Sequence, residues 1–452
     1  MAQFGMDQMT IAATATELRS LDDAALRRKA ILSCMVGNFL EVFDFTIYGF
    51  LAASVGHAFF PSGDALASTL SSFATFGIGF IMRPLGGVVL GAYADRHGRK
   101  QALVISVVMM AGATAATGLI PSYASIGVLA PALLVLCRLV QGFSSGGEWG
   151  GAASFLVEYA PDGQRGYYGS WQQFGVGLGT LGGSLFAFVM AASLDEASMN
   201  EWGWRIPFLF GFILAPVGYY LRTRVAETPA FQAELARRKT TASGETVASP
   251  LRGAVATQRA AMLIACCSTI IWTVGGYLFL TFMPAFATQQ LKLDARFSLA
   301  ANTIAILLRT ILTPFMGALS DRIGRKPLLL TAAGGFLVLS YPLFLWLVTA
   351  PSFAVLLIVQ LVAGILMAIF SGPGPAMLCE LFPTHLRTTS LSIGYNLAAA
   401  IFGGFAPAIA TFLVRETGQP IAPVYYVLFA ACISLIAISR IRDGAHRPLR
   451  HA

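Results

Sequence analysis

Long apolar runs separated by short polar breaks extend through the whole sequence. Each run is about 20 residues or longer, the length that an α-helix needs to cross a bilayer core of about 30 Å. The runs cover residues 30–56, 66–93, 101–120, 126–158, 167–192, 205–224, 260–287, 296–319, 328–349, 352–380, 388–414 and 421–440. The pattern predicts an all-α polytopic membrane protein with twelve transmembrane helices, whose boundaries are placed to within about four residues.

The charge pattern agrees with this topology and orients it. Of 452 residues, 56% are hydrophobic and 12% are charged, whereas an average soluble protein carries about 25% charged residues. Short cytoplasmic loops of membrane proteins carry an excess of Lys and Arg. If the N-terminus lies inside, the external loops hold Arg205, Lys292, Arg296 and Arg415 out of 30 basic residues. We therefore expect both termini in the cytoplasm, and the net charge of +8 needs no nucleic-acid partner.

One short basic sequence occurs twice, half a chain length apart. Gly91–Lys100 reads GAYADRHGRK and Gly317–Lys326 reads GALSDRIGRK. A second set recurs at nearly the same displacement: Glu158, Pro161 and Arg165 return as Glu380, Pro383 and Arg387. Such repetition indicates two homologous halves. We predict a cytoplasmic segment at 1–29, six-helix bundles at 30–224 and 260–440, a cytoplasmic linker at 225–259 and a cytoplasmic tail at 441–452.

The repeated loop carries a family resemblance, because G-x-x-x-D-R-x-G-R-K after the second and eighth helices is the best-known motif of the major facilitator superfamily. Five further strings resemble its metabolite:proton symporter branch: GNFLEVFDF (Gly37–Phe45), IMRPLGG (Ile81–Gly87), RLVQGFSSGGE (Arg138–Glu148), EWGWRIPF (Glu201–Phe208) and ETPAF (Glu227–Phe231). The resemblance spans nearly the whole chain. It implies two pseudo-symmetric six-helix bundles in a bacterial inner membrane, and transport by alternating access in a monomer without a cofactor.

Six charged side chains fall inside the predicted helices: Glu41, Asp44, Arg83, Arg138, Glu148 and Arg309. A charge at mid-membrane costs at least about 2.5 kcal/mol by insertion scales, so these residues predict a protein-lined, partly hydrated cavity. Two polar stripes at helical spacing accompany them: Asn38, Glu41, Phe45 and Tyr48 in the first helix, and Arg138, Gln141, Ser145 and Glu148 in the fourth.

We expect these residues to have two roles. Acids that change neighbours or hydration between two conformations change their proton affinity, which predicts proton coupling at Glu41, Asp44 and Glu148. Guanidinium groups bind carboxylates through two parallel hydrogen bonds. The expected substrate-binding set is Arg83, Arg138, Gln141, Arg309, Asn38 and Tyr48. In the alternative interpretation the arginines and acids only neutralise one another and fix helix packing, and for Arg309 both interpretations stay open.

The repeated loops predict a gate. By resemblance to the superfamily, they latch the cytoplasmic face while the carrier is open outward. The gating set is Asp95, Arg96, Gly98, Arg99 and Lys100 in the first copy, and Asp321, Arg322, Gly324, Arg325 and Lys326 in the second. Glu158 with Arg165, and Glu380 with Arg387, are expected as partners in that latch. The alternative is that the loops only hold the topology by their positive charge.

The leading functional prediction is proton-coupled uptake of a small organic acid, preferably a di- or tricarboxylate such as citrate. Three intramembrane arginines are more than a zwitterion needs. The alternative is symport of proline, glycine betaine or another zwitterionic osmolyte, in which case Trp149, Trp272 and Tyr277 frame an onium group instead of simply lining the core. Osmoregulated members of the branch carry a long C-terminal extension, whereas this sequence ends at Ala452, which favours the organic acid. The sequence contains no nucleophile–base set, nucleotide loop or metal cluster, so we do not expect an enzyme.

Overall fold

The computed structural model describes residues 31–32, 34–97, 99–211, 216, 257–383, 386–447 and 449, without the side chains of 91–92, 94–97, 99–100 and 102–103. The segment at 1–29, nearly all of the linker at 225–259 and most of the span predicted at 205–224 therefore lie outside the described residues. Among the described residues every predicted span is helical, and none of these residues forms a β-strand.

The helices follow the predicted spans. In the described part of the chain, eight helices are long and apolar enough to cross a membrane, one more span is a bent pair, and two further apolar helices are shorter. In the first half, α1 is Cys34–Phe50 with Ala52–Phe59, α2 is Ala65–His97, α3 is Arg99–Leu119, α4 is Leu129–Ser145 with Glu148–Glu158, α5 is Arg165–Ser193, and α6 begins at 206–211. In the second half, α7 is Arg259–Tyr277 continued by Met283–Gln289, α8 is Ala295–Ile323, α9 is Arg325–Thr349, α10 is Phe353–Ser371 with Gly374–Glu380, α11 is Arg387–Ala398 with Ala406–Thr417, and α12 is Pro423–Arg440.

Several helices are interrupted inside the membrane. The break in α10 lies between Ser371 and Gly374, where the sequence reads Gly–Pro–Gly–Pro. Other interruptions were not predicted; they include a bend of 66° in α1 near Leu51 and π turns within α7 at Leu278–Phe282 and within α11 at Ala399–Gly403. A π turn inserts an extra residue, so it rotates the face that the rest of the helix presents to its neighbours, and hydropathy alone does not show it.

Glycines bring α2 and α4 into backbone contact. A Cβ atom on Gly142 would overlap the carbonyl oxygen of Gly79, and one on Gly146 would overlap that of Arg83. Small residues permit such close approach of membrane helices. The contact fixes Arg83 of α2 beside the α4 segment that carries Arg138.

Helix α5 is the main bridge between the halves. Its Gly175 and Gly179 lie against the backbone of α1, whereas Gly177 lies against Thr310 of α8. The glycines of the fifth helix therefore serve close packing. Since α8 belongs to the second half, the polar side chains of α5 can contact both halves at once.

Candidate functional site

Arg83 of α2 lies at the boundary between the halves and has an acidic partner. Its Nη2 atom is 3.5 Å from Oε1 of Glu41 on α1, and its guanidinium stands 4.4 Å from the ring centroid of Phe80. Both charges act electrostatically on Tyr277 and Tyr395 of the second half. The Arg83–Glu41 pair therefore belongs to the first half but faces the second.

Arg309 of α8 is buried at the same boundary, with 4% of its surface exposed. Its Nη2 atom donates to Oε1 of Gln173 on α5 (3.4 Å) and to Oγ of Ser371 on α10 (3.3 Å). Within the described residues its Nε has no hydrogen-bond partner, and no carboxylate lies at ion-pair distance from the guanidinium. A buried charge without a counter-ion is costly, so this position favours an incoming anion.

Aromatic side chains from both halves meet beside Arg309. Trp149 of α4 stacks face to face on Tyr395 of α11, with ring centroids 3.8 Å apart and an interplanar angle of 6°. Trp272 of α7 packs edge-on against both rings, and its Nε1 donates to Ser371 Oγ, which Arg309 also contacts (2.9 Å). The stack closes the boundary between the halves at this level.

Tyr277 packs its ring against the first half. Its ring centroid is 5.8 Å from that of Phe76 and 5.2 Å from that of Phe80. Among the described residues its ring makes no contact with the ring of Trp149 or Trp272. Tyr395, which was not singled out from the sequence, takes the place beside the two tryptophans.

A second polar cluster lies inside the first half. Thr114 Oγ1 of α3 donates to Asp44 Oδ2 (2.8 Å), and Gln141 Nε2 of α4 donates to Thr114 Oγ1 (2.7 Å). Arg138 is completely buried, stands 4.1 Å from the ring centroid of Tyr48, and attracts Asp44 electrostatically. None of its guanidinium nitrogens has a hydrogen-bond partner among the described residues. We call these five residues the inner cluster; first-half helices supply all of them.

One recess joins the three acids predicted for proton coupling. It is lined by Glu41 and Asp44 of α1, Glu148 of α4, Ser106 of α3 and Gly211 of α6. Asp44 belongs to the inner cluster, whereas Glu41 pairs with Arg83 at the boundary. Glu41 therefore belongs both to the recess and to the surface that faces the second half.

A chain of side-chain amides links Arg309 to α1. Gln173, whose Oε1 accepts from Arg309, donates through Nε2 to Gln172 Oε1 (2.6 Å). Gln172 Nε2 donates to Asn38 Oδ1 (3.4 Å), and Asn38 Nδ2 donates to the carbonyl oxygen of Cys34 (2.7 Å). We call Gln173, Gln172 and Asn38 the amide chain.

The expected substrate-binding set is therefore divided between two places. Arg83, Arg309 and Asn38 lie at the boundary, whereas Arg138, Gln141 and Tyr48 lie in the inner cluster. Gln172 and Gln173 were missed, although two adjacent glutamines inside the apolar run 167–192 were a visible signal. Thr114 gave no comparable signal, because threonines are common in such runs and usually donate to their own helix.

The second copy of the repeated loop forms a network of buried ions across the halves. Asp321 accepts hydrogen bonds from the backbone amides of Gly166 and Tyr167 at the start of α5 (2.8 Å each). Arg325 bridges Asp321 (2.7 Å) and Glu380 (3.2 Å). Gly324 has a φ of +96°, a backbone conformation that favours glycine, and it joins α8 to α9.

The neighbouring acids pair with arginines of the opposite half. Glu158 binds Arg387, and Glu380 lies 3.4 Å from Arg165. The pairing is thus exchanged relative to Glu158 with Arg165 and Glu380 with Arg387, because the α4–α5 and α10–α11 connections face each other across the boundary. We call the six residues of this network the latch: Asp321, Arg325, Glu380, Arg165, Glu158 and Arg387. The end of the molecule that holds the latch is the latch end.

The residues after α12 fold over this latch. Nη2 of Arg165 donates to the carbonyl oxygens of Gly444, Ala445 and Arg447. The Asp443 carboxylate accepts from the backbone amides of Lys326 and Ala445, 3.0 Å each. The tail therefore docks on the first half through Arg165 and on the second half through the start of α9.

The remaining members of the gating set are not part of the latch as described. Arg322 is exposed and makes no ion pair with a described residue. In the first copy of the loop, Asp95 and Arg96 end α2 and Arg99 and Lys100 begin α3. Their side chains and the whole of Gly98 lie outside the described residues.

The sequence and fold comparisons agree on a family. The family model described as "Sugar (and other) transporter" matches residues 29–254, and the model described as "Major Facilitator Superfamily" matches residues 295–450. A citrate-proton symporter of Klebsiella pneumoniae is 38% identical over 408 residues, which cover 90% of each chain. The chain belongs to the major facilitator superfamily.

Other proteins similar to this superfamily transporter are named for different substrates. A proline/betaine transporter of Salmonella typhimurium is 36% identical over 445 residues, which cover 97% of this chain and 88% of the relative. The solved structure of the proton:xylose symporter XylE, bound to 6-bromo-6-deoxy-D-glucose, has a TM-score of 0.76 at 20% identity, with 94% of this chain and 98% of the other covered. The protein is a multi-pass inner-membrane transporter of the superfamily fold, and not an enzyme.

Proposed function

We propose that this transporter is a proton-coupled symporter of a small organic acid, which works by alternating access. The observation that carries the proposal is Arg309, a buried arginine at the boundary of the halves with no acidic partner among the described residues. A substrate carboxylate can neutralise it through charge-assisted hydrogen bonds, which are stronger than neutral ones. Similarity to the citrate-proton symporter of Klebsiella pneumoniae supports the same substrate class.

The charges suggest how further carboxylates are accepted. Arg83 already pairs with Glu41, Arg138 is attracted by Asp44 without a hydrogen bond to it, and Arg309 has no acidic partner among the described residues. A proton on Glu41 or Asp44 would release one further arginine. On this scheme each carboxylate beyond the first enters with one proton, which couples the transport of a di- or tricarboxylate to proton uptake.

The recess that joins Glu41, Asp44 and Glu148 is the proposed route for the proton. Glu41 is the proposed link between proton and substrate, because it lines this recess and also holds Arg83 toward the second half. We place the latch end in the cytoplasm, with both termini, on the strength of the basic residues in its loops. One chain holds the whole site, and we propose that a monomer is sufficient.

A second candidate is symport of betaine or proline. The stack of Trp149 on Tyr395, with Trp272 at its edge, lies beside Arg309. These rings can bind an onium group by cation–π contact while Arg309 holds the carboxylate of the same zwitterion. Similarity to the proline/betaine transporter of Salmonella typhimurium supports this candidate.

Uptake into proteoliposomes with an imposed pH gradient separates the two candidates. Citrate, succinate, 2-oxoglutarate, shikimate, proline and betaine would compete for uptake. We expect an organic acid to compete best, and Arg309→Gln to abolish uptake while Arg322→Gln leaves it intact. If betaine competes best and Trp149→Ala abolishes its uptake, the zwitterion is the substrate. Asp44→Asn and Glu41→Gln should each abolish gradient-driven accumulation and retain part of the counterflow exchange.

A further inference from the structure

The amide chain is a polarised hydrogen-bonded chain that begins at a cation. Arg309 donates to the oxygen of Gln173, and each amide then donates its NH₂ to the oxygen of the next. Gln172, Gln173 and Asn38 are 0%, 2% and 1% exposed. Hydrogen bonds in such a buried chain polarise one another, so a change at one end alters the strength of the rest.

The contact between Arg309 and Gln173 is the link that a substrate would replace. At 3.4 Å it is longer than the 2.6 Å bond between the two glutamines. A carboxylate that binds Nη2 of Arg309 removes the donor of Gln173 Oε1. A buried acceptor without a donor is unfavourable, so Gln173 has to rotate toward a new donor, and Gln172 has to follow because the two are bonded.

The other end of the chain lies on the helix that carries both acids. Asn38 is one turn before Glu41 on the same face of α1. The described titratable groups near the amide chain include Arg309, Tyr277 and Tyr395 from the second half, and Arg83, Glu41 and Cys34 from the first. Movement of the α1 face at Asn38 therefore acts next on the Glu41–Arg83 pair.

We propose that Gln173, Gln172 and Asn38 are positioning residues that report occupation of Arg309 to Glu41, and so couple substrate binding to protonation. This inference rests on the proposed function, since it assigns to the amide chain the coupling of that same site. It also gives a reason for two adjacent buried glutamines in an otherwise apolar stretch of α5.

The test is proton-driven accumulation by Gln173→Leu, which keeps the side-chain volume but cannot hydrogen-bond. The probe is radiolabelled citrate, or betaine if the wild type prefers it. One pH unit supports about tenfold accumulation for each coupled proton. We expect Gln173→Leu to lose this accumulation, so that the internal concentration equals the external one, while exchange without a gradient stays within about twofold of the wild type because Arg309 remains available.

Two further variants separate coupling from folding and from binding. Gln360→Leu removes another fully buried amide, which is not part of the amide chain and whose Nε2 donates to Asn302 Oδ1 (3.2 Å). This variant should accumulate the probe like the wild type. Gln173→Glu places a carboxylate beside Arg309, and it should lose both accumulation and exchange. If Gln173→Leu does not fold, Gln172→Leu breaks the same chain one link further from Arg309.

The outcomes distinguish this inference from the proposed function. If the wild type accumulates none of the six compounds of the uptake assay with protons, the proposed function is wrong. If the wild type accumulates probe and a folded Gln173→Leu or Gln172→Leu accumulates it equally well, the amide chain does not couple the two events. An equal loss in Gln360→Leu would also overturn the inference, because it would show a general effect of removing buried amides.

Discussion

The two ends of the molecule are closed by different kinds of contact. At the latch end, ion pairs join the halves: Glu380 with Arg165 is buried, and Glu158 binds the buried Arg387 from an exposed position. We call the opposite end the far end, and the described contacts across the boundary there include no ion pair. They are hydrogen bonds and one ring contact: Gln289 Nε2 donates to Thr69 Oγ1 (2.7 Å), the hydroxyls of Ser184 and Thr303 lie 2.8 Å apart, the exposed Arg296 donates to the carbonyl oxygen of Ala191, and the ring centroids of Phe73 and Phe282 are 5.6 Å apart. Charge is therefore concentrated at one end.

This difference predicts unequal sensitivity to single substitutions. When the latch opens as a whole, every ion regains water, so the net cost of opening is modest. When one partner is removed, the other is left buried and uncompensated, which costs about 3–5 kcal/mol. A neutral hydrogen bond contributes only about 0.5–1.5 kcal/mol net. A single substitution should therefore open the latch end, whereas a single substitution at the far end should leave that end mostly closed.

The largest effect is expected for Glu380→Gln. Glu380 is the shared partner of Arg165 and Arg325, and its side chain is 6% exposed. Its loss should destabilise the closed latch by about 3–5 kcal/mol and open this end. Spin labels at Asp162→Cys and Ile323→Cys, both at exposed positions on opposite halves, would report a longer distance by electron paramagnetic resonance. An unchanged distance would mean that apolar contacts keep this end closed.

A smaller effect is expected for Gln289→Leu at the far end. The substitution removes the hydrogen bond to Thr69 and leaves a hydroxyl that already donates to the carbonyl oxygen of Ala65. The closed far end should lose about 0.5–1.5 kcal/mol. Labels at Asp64→Cys and Lys292→Cys would show a modest increase in the open population. Opening as large as that of Glu380→Gln at the latch end would contradict the comparison.

Asp443 should have a weaker and pH-dependent effect on tail docking. Burial raises its pKa, but hydrogen bonds from the amides of Ala445, Lys326 and Arg325 and the Arg325 charge outweigh this, so its pKa lies below the ordinary value. A carboxyl with a depressed pKa stabilises the docked state above the unfolded pKa of about 3.9 and loses that contribution as pH falls through the folded value.

Docking of residues 441–447 should therefore stay constant from about pH 5 to 8. Because Asp443 is half-buried, Asp443→Asn should weaken docking by only about 0.5 kcal/mol after solvent screening. Hydrogen exchange of the amides of Lys326 and Ala445 measures this directly. Faster exchange in the wild type between pH 6 and 8, after correction for the intrinsic rate, would contradict the assignment.

The smallest effect is expected for Arg322→Gln. Arg322 belongs to the same repeated motif as Asp321 and Arg325, but it is exposed and makes no ion pair with a described residue. The closed latch should change by less than about 0.5 kcal/mol. Spin-label distances at the latch end equal to those of the wild type would support this, and opening of the latch would show that Arg322 acts through residues outside the described ones.

The helices could be predicted from the sequence because membrane insertion depends on local hydropathy. Every described span agrees with its apolar run. The bend of α1 near Leu51 and the π turns in α7 and α11 could not be predicted, because they depend on packing against helices that are remote in sequence. The break in α10 could be predicted, since two prolines and two glycines interrupt a helix wherever it lies.

The site was predictable as a set of residues, but not as a set of contacts. Intramembrane charges are rare, so Glu41, Arg83 and Arg309 could be selected from the sequence alone. Their pairing depends on the arrangement of helices in space. The pairing seen in the structure gives Arg83 an acidic partner among the described residues and Arg309 none. Counting three arginines in the sequence could not reveal this difference.

The exchanged pairs of the latch are related to each other by the internal repeat of the chain. Glu158 with Arg387 and Glu380 with Arg165 are the same contact seen twice, because each residue is replaced by its counterpart in the other half. In an oligomer such an arrangement is isologous, the geometry of a two-fold symmetric dimer. Two separate copies of a six-helix chain could therefore form both bonds without any change of sequence, and covalent fusion of the copies is not needed for this closure.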